Sequence, residues 1–197
     1  MPPSDDLGGE VTVAELRAGD VPRAEQVAVL LNGQLGDGLY TAEGLLADAA
    51  DPRAAVMVAG APGVLGAAAS RLLRPADLGY YERFGAEGRG ILGGLAGSLE
   101  ALAVEPAFRR RGTGALLAQA SLSWMRAQGC SVLVTLAWRS GRDDESLPLF
   151  RRLGFSEGTT VDRFYFEESL RDGWSCPVCG PGCTCAATLL TLSLTPG

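Results

Sequence analysis

Leu99-Glu-Ala-Leu-Ala-Val-Glu-Pro-Ala-Phe-Arg-Arg-Arg-Gly-Thr-Gly-Ala-Leu-Leu117 holds the pieces that decide the fold: an apolar strand, a stop at Pro106, and a helix that begins at Gly112 to Gly114. Leu99 to Val104 reads as the strand and Gly112 to Gln128 as the helix. Glycines let backbone N–H groups approach a ligand closely, and a helix N-terminus presents unpaired donors at the positive end of its dipole. Arg109, Arg110 and Arg111 add charge where an exposed helix terminus alone contributes only about 0.3–1 kcal/mol. The combination favours a multiply charged anion, such as a diphosphate, over a single carboxylate.

Working towards the N-terminus, residues 74–93 are Gly-rich and irregular, with Tyr80, Tyr81 and Phe84 spaced as a turn of helix. Ala54 to Ala59 and Val64 to Leu73 read as two strands around the turn Gly60-Ala-Pro-Gly63. Thr41 caps a short helix that stops before Pro52, and Asp20 caps a longer one over Arg23 to Leu35 with Val27, Leu30 and Leu31 on its apolar face. Val11 to Leu16 alternates as a first strand, and residues 1–9 are expected to be disordered.

Towards the C-terminus, Cys130 to Ala137 reads as a buried strand, Asp144 to Leu153 as a helix, and Phe155 to Thr160 and Val161 to Glu167 as two strands. The expected class is mixed α/β: one domain over 10–170, followed by a Cys-rich tail over 171–197. Within that tail, Ala187 to Leu194 alternates Leu with Thr or Ser and is expected to add an edge strand.

The chain of 197 residues carries a net charge of −6 and has neither Lys nor His. The charge argues against nucleic-acid binding, which needs clustered cations that outweigh local acids. Absence of His excludes Ser-His-Asp and Cys-His nucleophiles and every His-containing zinc site, so a general base has to be a carboxylate, a water chain, or a perturbed Tyr or Cys. No apolar run approaches the roughly 20 residues of a membrane-spanning helix. Met1-Pro-Pro-Ser-Asp-Asp lacks the basic flank and apolar core of a secretory signal, so a cytoplasmic protein with reduced thiols is expected.

Four of the five cysteines lie in Cys176-Pro-Val-Cys179-Gly-Pro-Gly-Cys183-Thr-Cys185. In a reducing compartment this reads as metal before disulfide, and Cys-Pro-x-Cys-Gly has the form of a zinc knuckle. Cys176, Cys179, Cys183 and Cys185 are the expected ligands of a structural zinc, with free or redox-active thiols and a cluster shared between chains as the alternatives. The fifth, Cys130, reads as a small buried hydrophobe.

Arg109, Gly112 and Gly114 resemble the pyrophosphate loop of the GNAT superfamily of N-acetyltransferases, whose form is Gln or Arg, any two, Gly, any one, Gly or Ala. Val104-x-Pro106 is similar to the family's approach to that loop, and Leu149 with Leu153-Gly-Phe155 is similar to a later helix ending. The resemblance spans roughly 10–168. It implies an acetyltransferase-like fold with a mostly antiparallel, splayed sheet flanked by helices. It further implies that acetyl-CoA is held by Leu102, Ala103, Val104, Arg109, Arg110, Arg111, Gly112, Thr113 and Gly114, and that an amine attacks the thioester directly.

An amine nucleophile must be neutral, yet a Lys-type amine of pKa ~10.4 is neutral in only about one part in a thousand near pH 7.4, a penalty of ~4 kcal/mol. Glu100 lies where many members of the superfamily carry Glu and is the expected base, directly or through water. Ser98 shares its strand face and would anchor a water. Two departures stand out: Phe150 occupies the place of a proton-donating Tyr, and Asp143 that of an Asn. Tyr40, Tyr80, Tyr81 and Tyr165 are the substitute donors. The expected partners are acetyl-CoA and an unidentified amine acceptor, with no nucleic acid, no membrane and a homodimer left open. Phe150 also motivates two alternatives, a non-catalytic acyl-CoA sensor and an interaction protein working through its Cys tail.

Overall fold

A computed structural model describes residues 11–60, 63–91, 94–141 and 146–194. Strand β1 (Val13–Glu15) leads into helix α1 (Val21–Leu35), whose N-cap Asp20 accepts from the Arg23 N–H at 3.3 Å. Helix α2 (Ala42–Ala50) begins where the Thr41 hydroxyl accepts from the Gly44 N–H at 3.0 Å. Strands β2 (Ala54–Ala59) and β3 (Gly66–Leu72) then pair antiparallel. The irregular stretch becomes a 3₁₀ run over Pro75–Phe84 and a one-turn helix α3 (Gly85–Gly90).

Strand β4 (Ala96–Val104) pairs antiparallel with β3 and parallel with β5 (Val132–Arg139), and α4 (Thr113–Ala127) makes the crossover between them. Helix α5 (Leu147–Arg152) follows; Asp143, and Asp144 and Glu145 of the expected helix, lie outside the described residues, as do residues 1–10. The chain closes with β6 (Ser156–Val161), α6 (Phe166–Asp172) and β7 (Ala186–Ser193). The seven strands run β1-β2-β3-β4-β5-β7-β6. Beneath α4 and α5, Leu99, Leu117, Met125, Leu133 and Phe150 form one apolar layer; α1 packs Val27 and Leu31 against Val56, Val58 and Ala101 in another. Gly97 is required by the first layer, because a Cβ there would stand 2.5 Å from the Met125 sulfur.

Two expectations are corrected. Ala187 to Leu194 is not an edge strand: β7 lies between β5 and β6, and Ala187 to Leu190 are buried, so the sheet continues beyond residue 170. Nor does Val161 to Glu167 form a strand. Arg163 takes a left-handed backbone (φ 51°), Phe164 turns inward to stack on Phe84 at 4.9 Å, and the chain leaves as α6. The β6–β7 connection therefore contains a helix and all four clustered cysteines.

Candidate active site

Strands β4 and β5 pair over only four positions, from Ala96 with Val132 to Leu99 with Thr135. Beyond Thr135, β5 continues with β7 alone, so the β4 edge from Glu100 to Val104 has no register partner on β5. On the other edge the register skips one residue: Ser70 faces Leu99 and Ala69 faces Ala101. Glu100 is thus the extra residue of a β-bulge, a device that re-aims a side chain. The split and the bulge coincide at one position.

Glu100 projects to the α1 and α2 side, where Arg71 of β3 bridges two carboxylates. Its Nε donates to Glu100 Oε2 and its Nη2 to Asp48 Oδ1, both at 3.0 Å. The Glu100 side chain is 38% exposed, but it sits in a recess where desolvation pushes its pKa up and Arg71 pulls it partly back. Desolvation raises Asp48 and Glu168 as well, against the pull of Arg71 on the first and of the Tyr80 hydroxyl on the second. Tyr40 lies among these acids: burial first, then the charges of Glu100, Glu168 and Asp48, raise its phenol. Tyr81 shares a 2.8 Å hydrogen bond with Ser98, two residues before Glu100 on β4. Arg71 feels Glu100, Asp48 and Asp77, and Tyr40 feels Glu100, Glu168 and Asp48, so acids outnumber the arginine here and the recess suits a cation.

Beyond the split, Val104 approaches the start of α4: a Cβ on Gly114 would lie 3.7 Å from Val104 Cγ2 and from Leu149 Cδ2. Gly112, the N-cap of α4, has φ +86° with open space on its outer side, and no side chain caps the helix. Thr113 Oγ1, almost fully buried at the first helical position, has no hydrogen-bond partner among the described residues. An uncapped helix start with bare glycine backbone beside an open strand edge fits a diphosphate and its amide-bearing arm.

The three arginines part company. Arg109 turns inward, its Nε donating to the Val104 carbonyl at 3.1 Å and its Nη2 to Gln34 of α1, so it braces the turn. Arg110 is exposed at φ +60°, and Arg111 reaches over the Phe108 ring at 5.5 Å. Phe150 is buried and packs edge-on to Phe155. A recess of about 460 Å³ lined by Arg53, Leu73, Leu78 and Leu95 lies at the start of β4, and neither Glu100 and its charged neighbours nor the Gly112 to Gly114 turn lines it.

The four clustered cysteines are free thiols with sulfurs all within 4.8 Å of one another. Three pairs are separated by 3.6, 3.6 and 3.9 Å. A Zn–S distance of about 2.3 Å sets the corners of a tetrahedron roughly 3.8 Å apart, so the donor set fits zinc. Burial opposes the Cys179 thiolate, but the Thr184 N–H and the neighbouring thiols bring its pKa down to about 6.

Sequence reasoning named Glu100, Ser98 and the cysteines but missed Arg71, Asp48 and Glu168. No local signal marks them. Arg71 becomes a partner of Glu100 only through the β3–β4 register, and Asp48 through the seating of α2.

A family model described as the acetyltransferase (GNAT) family matches residues 46–155. A chain of the NatC complex bound to Gag peptide and CoA superposes with a TM-score of 0.68 at 15% identity, covering 95% of this chain and 100% of that one. NAA60 from Arabidopsis thaliana in complex with acetyl-CoA gives 0.65 at 13% identity, with 94% and 99% covered. The ribosomal-protein-S18-alanine N-acetyltransferase from Escherichia coli gives 0.62 at 15% identity, with 95% and 96% covered. No curated protein sequence matches.

Proposed function

The chain belongs to the GNAT acetyltransferase family, and from that premise we propose that it transfers an acetyl group from acetyl-CoA to a primary amine by direct attack, with Glu100 as the base. The observation that carries this reading is the coincidence of the β4–β5 split with the bulge at Glu100. A reactive thioester threaded through the split would meet the acceptor beside that carboxylate.

Acetyl-CoA supplies the activated acetyl group. Leu102, Ala103 and Val104 offer the open backbone edge to its arm, and Gly112, Thr113 and Gly114 offer helix-start N–H groups to its diphosphate. Arg110 and Arg111 add positive charge, and Arg109 holds the turn against α1. On the acceptor side, Glu100, Asp48 and Glu168 attract the ammonium. Glu100 takes its proton, directly or through water on Ser98, so that the amine attacks neutral. Phe150 donates nothing; the CoA thiol, with a pKa near ~8.5 by analogy with Cys, leaves as a thiolate. The NatC complex bound to Gag peptide and CoA makes an amine on a peptide one acceptor to try.

Cys176, Cys179, Cys183 and Cys185 hold one structural zinc in the same proposal, since four protein ligands leave no open position for chemistry. Metal analysis of freshly purified chain is expected to find about one zinc per molecule; metal-free, folded protein removes this part. Phe150 supports a second reading, a sensor that binds acyl-CoA without turning it over. Acetyl-CoA binding with no product across a panel of amines would decide for the sensor.

A further inference from the structure

The cysteine cluster does not stand apart from the cleft. Trp174, Cys176, Cys183 and Cys185 form one apolar unit with Leu39 from the α1–α2 loop, Trp138 from the splayed end of β5, and Tyr165. Asp37 and Ser175 exchange two backbone hydrogen bonds, each 2.9 Å, which join the α1–α2 loop to the cysteine loop as a miniature sheet. Gly36 admits this docking: a Cβ there would stand 2.7 Å from Leu39 Cδ1 and 3.0 Å from the Trp174 ring. Three residues beyond Asp37 is Tyr40, set among Glu100, Glu168 and Asp48 and held in place by Asn32, which bonds its backbone N–H and carbonyl at 2.9 and 2.8 Å.

The loop that makes these contacts has little secondary structure of its own. Between α6 and β7 the regular backbone pairing within the loop is a single bridge, Cys176 with Gly180. Four thiols this close repel one another once ionised, unless a cation binds them. Metal-binding free energy in such a loop is folding free energy.

We propose that the four-cysteine centre is a metal clamp on the acceptor cleft: when loaded it fixes the Asp37–Tyr40 wall to Trp138 on β5, so metal occupancy sets the acceptor side and leaves the acetyl-CoA turn unchanged. The clamp rests on the zinc reading given above. It spans the cleft from the α1–α2 loop to the splayed strand, whereas α4 packs on the opposite face of the sheet, over β2, β3 and β4.

Hydrogen exchange on the full chain, zinc-loaded and after extraction by a chelator, tests it. Extraction is expected to speed exchange of the Asp37, Leu39 and Ser175 amides by about 10-fold or more, zinc re-addition to restore it, and the acetyl-CoA Kd to change by less than about threefold. Gly36→Val, which leaves the thiols intact, is expected to keep its zinc and still loosen the same amides. Bound zinc whose removal leaves Asp37 and Ser175 exchange unchanged overturns the clamp and keeps the metal site. Loss of acetyl-CoA affinity in step with the wall overturns its selectivity. Fresh protein without zinc overturns both readings.

Discussion

Leu99 and Thr135 are the last residues at which β4 and β5 pair, and the buried Thr135 hydroxyl donates to the Leu99 carbonyl at 2.8 Å. This bond pins the crotch of the fork. Thr135→Val keeps the shape but leaves that carbonyl without its side-chain donor, so a loss of about 1–3 kcal/mol in urea unfolding is expected. Acetyl-CoA affinity is expected to fall as well, because the split would no longer open at a fixed position.

Glu100→Gln is expected to cut kcat/KM by about 100-fold or more, with acetyl-CoA affinity within about threefold of the parent. Its pH profile carries the sharper information. Desolvation raises the Glu100 pKa, and the base works deprotonated, so activity should be lost as pH falls through a value above the ordinary glutamate range. Steady-state kinetics should show this acid limb in the parent and not in the glutamine variant.

Arg71→Met follows the same logic with the opposite sign. Arg71 lowers the Glu100 pKa, so its removal should move the acid limb to higher pH, with activity partly recovered as pH rises. An unmoved limb would mean that another group titrates.

Gly112 and Gly114 should respond differently to substitution. A valine at 112 must adopt φ +86°, at a cost of about 1–3 kcal/mol, and would fill the space proposed for the diphosphate. An alanine at 114 meets Leu149 and Val104 at an ordinary 3.7 Å. Calorimetric titration with acetyl-CoA is expected to show binding lost in Gly112→Val and retained in Gly114→Ala.

Much of this was legible because it is local. Asp20 and Thr41 announce their helices by side chains that reach the next turn, and Pro106 with Gly112 brackets the turn between β4 and α4. Spacing alone also marked the four cysteines as one group. What could not be read depends on distant pairing. The Leu and Thr alternation of β7 suited a half-exposed edge, but strand order puts it inside the sheet. The left-handed turn at Arg163 and the skipped register at Glu100 leave no pattern in composition. For the same reason Arg71, separated by 29 positions from Glu100, was invisible as its partner.

The most direct test of the account is to incubate the full chain with acetyl-CoA and a panel of primary amines, including short peptides with free N-termini, and to follow acetylated product by mass spectrometry alongside released CoA. The expected result is product matched by CoA for at least one amine, sharply reduced in Glu100→Gln. Acetyl-CoA that binds but is transferred to no amine, or a glutamine variant as active as the parent, would contradict it.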